Sequence, residues 1–324
     1  MPPAIVYSPR YTMHALGMDR LHPFDLQKYR RAWADVRRRL GPRADDLLVA
    51  PQRPVDDDDL ALVHAEGYLA SLRDSRTIAA AVEVAPVAMI PWRLLDRALL
   101  RPMRWATAGT LLGARLALER GEAINIGGGF HHASADRAEG FCIYADIPLA
   151  IAALRASDAF GAAGRIIYID LDAHMGNGVA RCLMPDRESF LFDMFNADIY
   201  PYDPAARSRI DHPVPLPAGT TGPDYLATLR TQLPRFLDAV NTPDRPNLAI
   251  YNAGTDVYER DAIGALDLTF DDVTARDRIV IQSLRDRAIP WLMLTSGGYS
   301  PESWRMIADT VCWATSTANR PSST

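Results

Sequence analysis

Cysteine is the first scarcity. Only three occur, Cys142, Cys182 and Cys312, far apart and without any C-x-x-C spacing. An odd, scattered set builds no disulfide framework and points to a reducing compartment. Lysine is scarcer still: Lys28 stands alone, and the rest of the 35 Lys and Arg residues are arginine. Positive charge is not in excess either. A net charge of −5 leaves no overall basic surplus, which argues against direct nucleic-acid binding. No apolar run approaches the length of a membrane span. The start, MPPAIVYSPRY, lacks the basic opening and apolar core of a signal peptide. Linker-like composition and internal repeats are absent as well. What remains is a cytoplasmic globular protein, and 324 residues that are 48% hydrophobic suffice for one large α/β domain.

The apolar runs define that domain. Ala4–Tyr7, Ala123–Ile126, Ile166–Ile169, Ser189–Met194, Leu248–Asn252 and Trp291–Thr295 read as buried strands. Between them, Asp25–Leu40, Leu60–Leu72, Arg104–Arg120 and Ile147–Leu154 read as helices. The acidic run Asp56–Asp59 reads as negative charge at the first turn of the second of these. Strands alternating with helices predict a mostly parallel central sheet covered on both faces, a single-domain three-layer α/β/α architecture. The small, polar residues 314–324 read as a frayed tail, leaving 1–313 as the domain.

Four of the strands run into residues that a core would not choose. They are Gly127-Gly128-Gly129-Phe130-His131-His132, Asp170-Leu171-Asp172-Ala173-His174, Asn252-Ala253-Gly254-Thr255-Asp256 and Gly297-Gly298-Tyr299. Ligands bind at the carboxyl ends of strands in such sheets, so four polar ends would converge along one edge. Two carboxylates and an imidazole are costly beside an apolar core unless something positive sits among them. A divalent metal does that. A helix cap or an ordinary ion pair is the plainer reading of the same residues. Three ligands with one open position suit a hydrolytic zinc site, and Asp172, His174 and Asp256 meet that count. His131 and His132 offer imidazole bases near neutral pH, and Tyr299 offers a hydroxyl to a developing oxyanion.

GGGFHHASADRAEGFC, IIYIDLDAHMGNG, YNAGTD and TSGGY together resemble the zinc-dependent histone deacetylases of the arginase/deacetylase fold, over nearly the whole chain. The forms LHPFD, HMGNG and TSGGY look most similar to the class IV branch. The resemblance implies Asp172, His174 and Asp256 as metal ligands, for Zn2+ or Fe2+. It implies His132 as base and then acid, assisted by His131, which Asp170 holds. Tyr299 would bond the scissile carbonyl. Phe141 after Gly140 would wall the acyl channel, with Tyr200 facing it and Gly298 in the turn beside Tyr299. A structural K+ near Asp170 is also implied. Asn177 stands where many members have an aspartate that orients the catalytic imidazole, and an amide stabilises an imidazolium less. The implied substrate is an acyl-lysine peptide or protein, with long fatty-acyl chains as well as, or rather than, acetyl. The proline-bounded apolar segment around Met89 and Ile90 is a candidate shelter for such a chain. Small acylated amines such as acetylpolyamines, a dinuclear ureohydrolase and a non-catalytic acyl-lysine reader remain as alternatives.

Overall fold

The computed structural model describes residues 2–14, 25–158, 160–241 and 247–316. Its centre is one eight-stranded sheet in the order β2-β1-β3-β8-β7-β4-β5-β6, with every neighbouring pair parallel. The strands are β1 (Ala4–Val6), β2 (Leu48–Val49), β3 (Glu122–Asn125), β4 (Arg165–Asp170), β5 (Ser189–Asn196), β6 (His212–Leu216), β7 (Asn247–Asn252) and β8 (Trp291–Leu294). A parallel sheet needs crossover helices on its faces, so its inner strands are apolar on both sides. Ile166, Ile167, Ile169, Leu248, Ala249, Ile250, Leu292 and Leu294 are all fully buried for this reason.

Six long helices supply most of the cover: α1 (Lys28–Leu40), α2 (Arg101–Arg120), α3 (Asp146–Arg155), α4 (Gly222–Val240), α5 (Phe270–Arg285) and α6 (Ser303–Thr315). The α5 start is fixed by a capping box between Thr269 and Asp272, which satisfies two N–H groups at once.

The expected three-layer parallel architecture is present, and the six expected strands appear to within a residue or two. Three local expectations change. The helix expected over Leu60–Leu72 is two short ones, Asp57–Leu60 and Glu66–Ser71. Asp56 and Asp59 form a capping box on the first and so do place acid at its start. The helix expected from Asp25 begins three residues later, with Asp25 accepting the Gln27 N–H in the turn before it. The expected tail begins too early, because α6 runs through Thr315 with Ala314 and Thr315 buried. Residues 317–324, with LHPFD residues 21–24, lie outside the described residues.

The topology decides where chemistry can occur. The strands β3, β8, β7 and β4 are consecutive in the sheet, and Asn125, Leu294, Asn252 and Asp170 are in register across them. The four segments that follow therefore leave the sheet at one level. Replacing Ile167, fully buried on β4, with alanine is expected to cost about 2–5 kcal/mol through lost burial and a cavity. A urea titration would read this as a lowered midpoint with unchanged slope.

Candidate metal centre

The strand β4 delivers Asp170 into the bend Leu171–Met175, where the His174 N–H donates to Asp172 Oδ1 at 3.1 Å and keeps the two residues together. The loop after β7 brings Asp256 to them. The ligand-type atoms of Asp172, His174 and Asp256 all lie within 4.8 Å of one another, and all three residues are buried. His174 Nδ1 lies 2.8 Å from Asp256 Oδ2 and 3.2 Å from Asp172 Oδ1. Gly254 makes this approach possible, since a Cβ there would fall into the Asp172 carboxylate.

The electrostatics of this cluster are those of a cation site. Burial and the neighbouring Asp172 charge push the Asp256 carboxyl up to about 7. Burial opposes charge on His174, yet the two carboxylates outweigh it and lift the imidazole to about 10. The pair of acids thus demands positive charge at this point. Two carboxylate oxygens and an imidazole nitrogen are donors that suit zinc or iron(II), so the residues fit the expected ion.

His131 and His132 follow the triple-glycine turn, with their ring centroids 4.0 Å apart. His131 Nδ1 sits 2.8 Å from Asp170 Oδ2. Burial lowers its pKa, but Asp170 and Asp172 together raise it to about 9. His132 is different: burial, His131 and His174 all hold it well below the usual range, so it is neutral. Its Nδ1 meets Asn177 Oδ1 at 2.7 Å. The Tyr299 ring stands edge-on to His174 at 6.5 Å. Burial and the Asp172 and Asp256 charges push its hydroxyl well above its ordinary value, so it remains a donor.

Several residues that hold this arrangement were not foreseen. Buried Asp146 accepts the Gly129 and Phe130 N–H groups, each at 2.9 Å, and fixes the turn that carries both histidines. Asp261 accepts the Tyr299 and Ser300 N–H groups at 2.6 and 3.2 Å. The sole lysine, Lys28, is buried beneath the same loop. Its Nζ donates to the Ser296, Gly297 and Gly298 carbonyls at 2.7, 2.9 and 3.4 Å. Arg276, fully buried on α5, donates to the Leu171 and Gly254 carbonyls at 2.9 and 2.6 Å and so ties the two ligand loops together. The uniqueness of Lys28 was the one available signal.

An apolar cavity opens from this centre. Val82, Val84, Val87, Leu95, Leu99 and Met103 line it beyond His131, His132, Gly140, Phe141 and Tyr299. Gly298 lies just outside that lining, and Tyr200, 41% exposed, packs edge-on to His132 at 5.3 Å. Met89 is no part of the shelter. It is 87% exposed, because the 3-10 turn Ala85–Met89 points Val87 inward instead.

A parallel sheet that gathers two acids and an imidazole at its carboxyl edge, beside a paired-histidine turn, belongs among the α/β folds whose ligand sites form where the strands end. The chain belongs to the histone deacetylase family: the histone deacetylase domain model matches residues 22–315. It is 43% identical over 313 residues to histone deacetylase 2 of Arabidopsis thaliana, covering 95% of this chain and 77% of that one. It is 24% identical to the acetoin utilization protein AcuC of Bacillus subtilis, covering 93% and 78%. The fold matches that of an HDAC homologue from Aquifex aeolicus with a TM-score of 0.74 at 21% identity, over 99% of this chain and 85% of that one.

Two measurements test the centre. Elemental analysis after zinc loading is expected to give one ion per chain, lost in Asp256→Ala; two ions would indicate a dinuclear site. Lys28→Met is expected to keep the ion but lower turnover about 10–100-fold through a displaced Tyr299 loop. Steady-state kinetics beside the same elemental analysis would show the separation.

Proposed function

We propose that the protein is a metal-dependent hydrolase that removes acyl groups from lysine side-chain amides. One observation supports this above the others: an Asp-His-Asp donor set, a neutral imidazole and a protonated tyrosine hydroxyl meet at one end of an apolar cavity. Asp172, His174 and Asp256 would hold a divalent ion, zinc or iron(II). When bound, the ion supplies Lewis acidity and makes water nucleophilic near neutral pH. His132 takes the proton from water as oxygen attacks the acyl carbon. The Tyr299 hydroxyl donates to the carbonyl oxygen as it gains negative charge. His132 then passes its proton to the lysine nitrogen as the C–N bond breaks, leaving an amine and a carboxylic acid, and the acid's proton ends on the amine to give ammonium and carboxylate. His131, held by Asp170 at 2.8 Å, packs against the His132 ring and steadies it.

The branch we assign is class IV, on LHPFD, HMGNG, TSGGY and Asn177. The acyl group we assign is long as well as short, because six aliphatic side chains extend the cavity past the reacting carbon. Each buried methylene contributes roughly 0.8 kcal/mol, so even partial burial shifts the preference. For the structural K+, Asp193 is the more open partner. All four hydrogen bonds to Asp170 come from neighbouring donors, whereas Asp193 Oδ1 has no partner among the described residues. Three unpaired thiols are consistent with a reducing, cytoplasmic setting. Among the described residues no helix is long and apolar enough to cross a membrane.

The test is one peptide carrying acetyl-lysine or dodecanoyl-lysine, incubated with zinc-loaded protein. Both acyl groups are expected to be released, the long one faster, and Tyr299→Phe is expected to abolish both. Leu99→Asp is expected to slow dodecanoyl release at least about tenfold while sparing acetyl, since it puts a charge on the cavity wall. Release of acetate from an acetylpolyamine but from neither peptide would replace this substrate with a small acylated amine.

A further inference from the structure

Asn177 raises a problem that its neighbours answer. An amide beside an imidazole can present either its oxygen or its nitrogen, and only the oxygen suits a base. With Oδ1 toward the ring, His132 Nδ1 must carry the hydrogen and Nε2 keeps its lone pair. With the NH2 group toward the ring, Nδ1 must accept and the hydrogen moves to Nε2, which can then no longer take a proton. A carboxylate in the aspartate position has no such ambiguity.

Here the far side of the amide is occupied. Asn177 Nδ2 donates to Glu139 Oε2 at 3.0 Å, while its Oδ1 faces His132 Nδ1 at 2.7 Å. Turning the amide over would set its carbonyl against the Glu139 carboxylate. Glu139 is itself anchored: Arg181 Nη1 donates to Oε2 at 2.6 Å, and Arg181 Nη2 reaches Asp203 Oδ2 at 2.6 Å. Its backbone is pinned as well, through reciprocal bonds with Cys142 at 3.2 and 2.8 Å that close the Gly140–Phe141 turn. The Tyr200 hydroxyl is a second polar neighbour of the amide.

We infer that Glu139 is a positioning residue acting through Asn177: it fixes the amide oxygen toward His132, selects the Nδ1–H tautomer, and leaves Nε2 free as base. Its negative charge, relayed along the polarised amide, also favours the imidazolium that forms during turnover. Glu139 and Asn177 together then replace the aspartate that many relatives of the resembled family carry. This inference rests on the reading of His132 as the base.

Two measurements separate the inference from that reading. In 15N-histidine spectra of the zinc-loaded protein, with His132 assigned by its loss in His132→Ala, Nδ1 is expected to be protonated. In Glu139→Ala it is expected to lose that preference, while Glu139→Gln keeps it because the Gln oxygen still accepts from Asn177. In kinetics on the acyl-lysine peptide, Glu139→Ala is expected to lower kcat about 10–100-fold with KM within about twofold, and Glu139→Gln to lose less. In an Asn177→Asp background the carboxylates would face each other, so Glu139→Gln is expected to leave kcat unchanged or raise it. An unchanged tautomer in Glu139→Ala, or an unchanged kcat with the wild type active, overturns the inference. A wild type inactive on acyl-lysine but with the expected tautomer change would refute the function and leave the positioning role standing.

Discussion

Two aspartates buried against each other are the constraint on which this molecule turns. Asp172 and Asp256 sit where an apolar sheet ends, at 1% and 0% exposure, withdrawn from the bulk solvent that would spread their charge. Such a pair is tolerable only with a cation between its members. Because the carboxylates repel, their separation must be imposed by the backbone, and the surrounding architecture does the imposing. Register across β3, β8, β7 and β4 sets the height of each loop, and the apolar strands make that register rigid.

A second tier of charge holds the loops. Arg276 and Lys28 are buried cations that donate to backbone carbonyls of the loops at the site, and Arg276 is also paired with Asp277. Asp146 and Asp261 do the reverse, with buried carboxylates accepting backbone N–H groups. Each of these bonds ties a loop at the carboxyl edge of the sheet to a residue distant in the sequence. Charge-assisted bonds of this kind are stronger than neutral ones.

The inner strands and the residues that the structure gathers at the candidate site are legible because their signals are local. Ile166–Ile169 is a continuous apolar run, and Asp170, Asp172 and His174 follow within five residues of it. The outer strands are not. Leu48–Val49 is two residues long, and His212–Leu216 carries prolines at alternate positions, a pattern that argues against a strand unless it lies at an edge. The supporting residues were hidden for a different reason. Lys28 meets Ser296 across 268 positions and Arg276 meets Leu171 across 105, so no local pattern connects them. Met89 misled because hydrophobicity alone does not say which side of a turn faces inward; Val87 does so here.

The proline-bearing edge has a consequence of its own. In β6, successive residues turn their N–H groups to opposite sides, and Pro213 and Pro215 share one side. The ladder to β5 takes the other. An approaching strand would therefore find acceptors along this rim but few donors, and could not complete a ladder. At the opposite rim, β2 is too short to template one. A sheet this apolar is thus sealed at both margins by stereochemistry, without relying on surface charge to keep copies of the chain from zipping together.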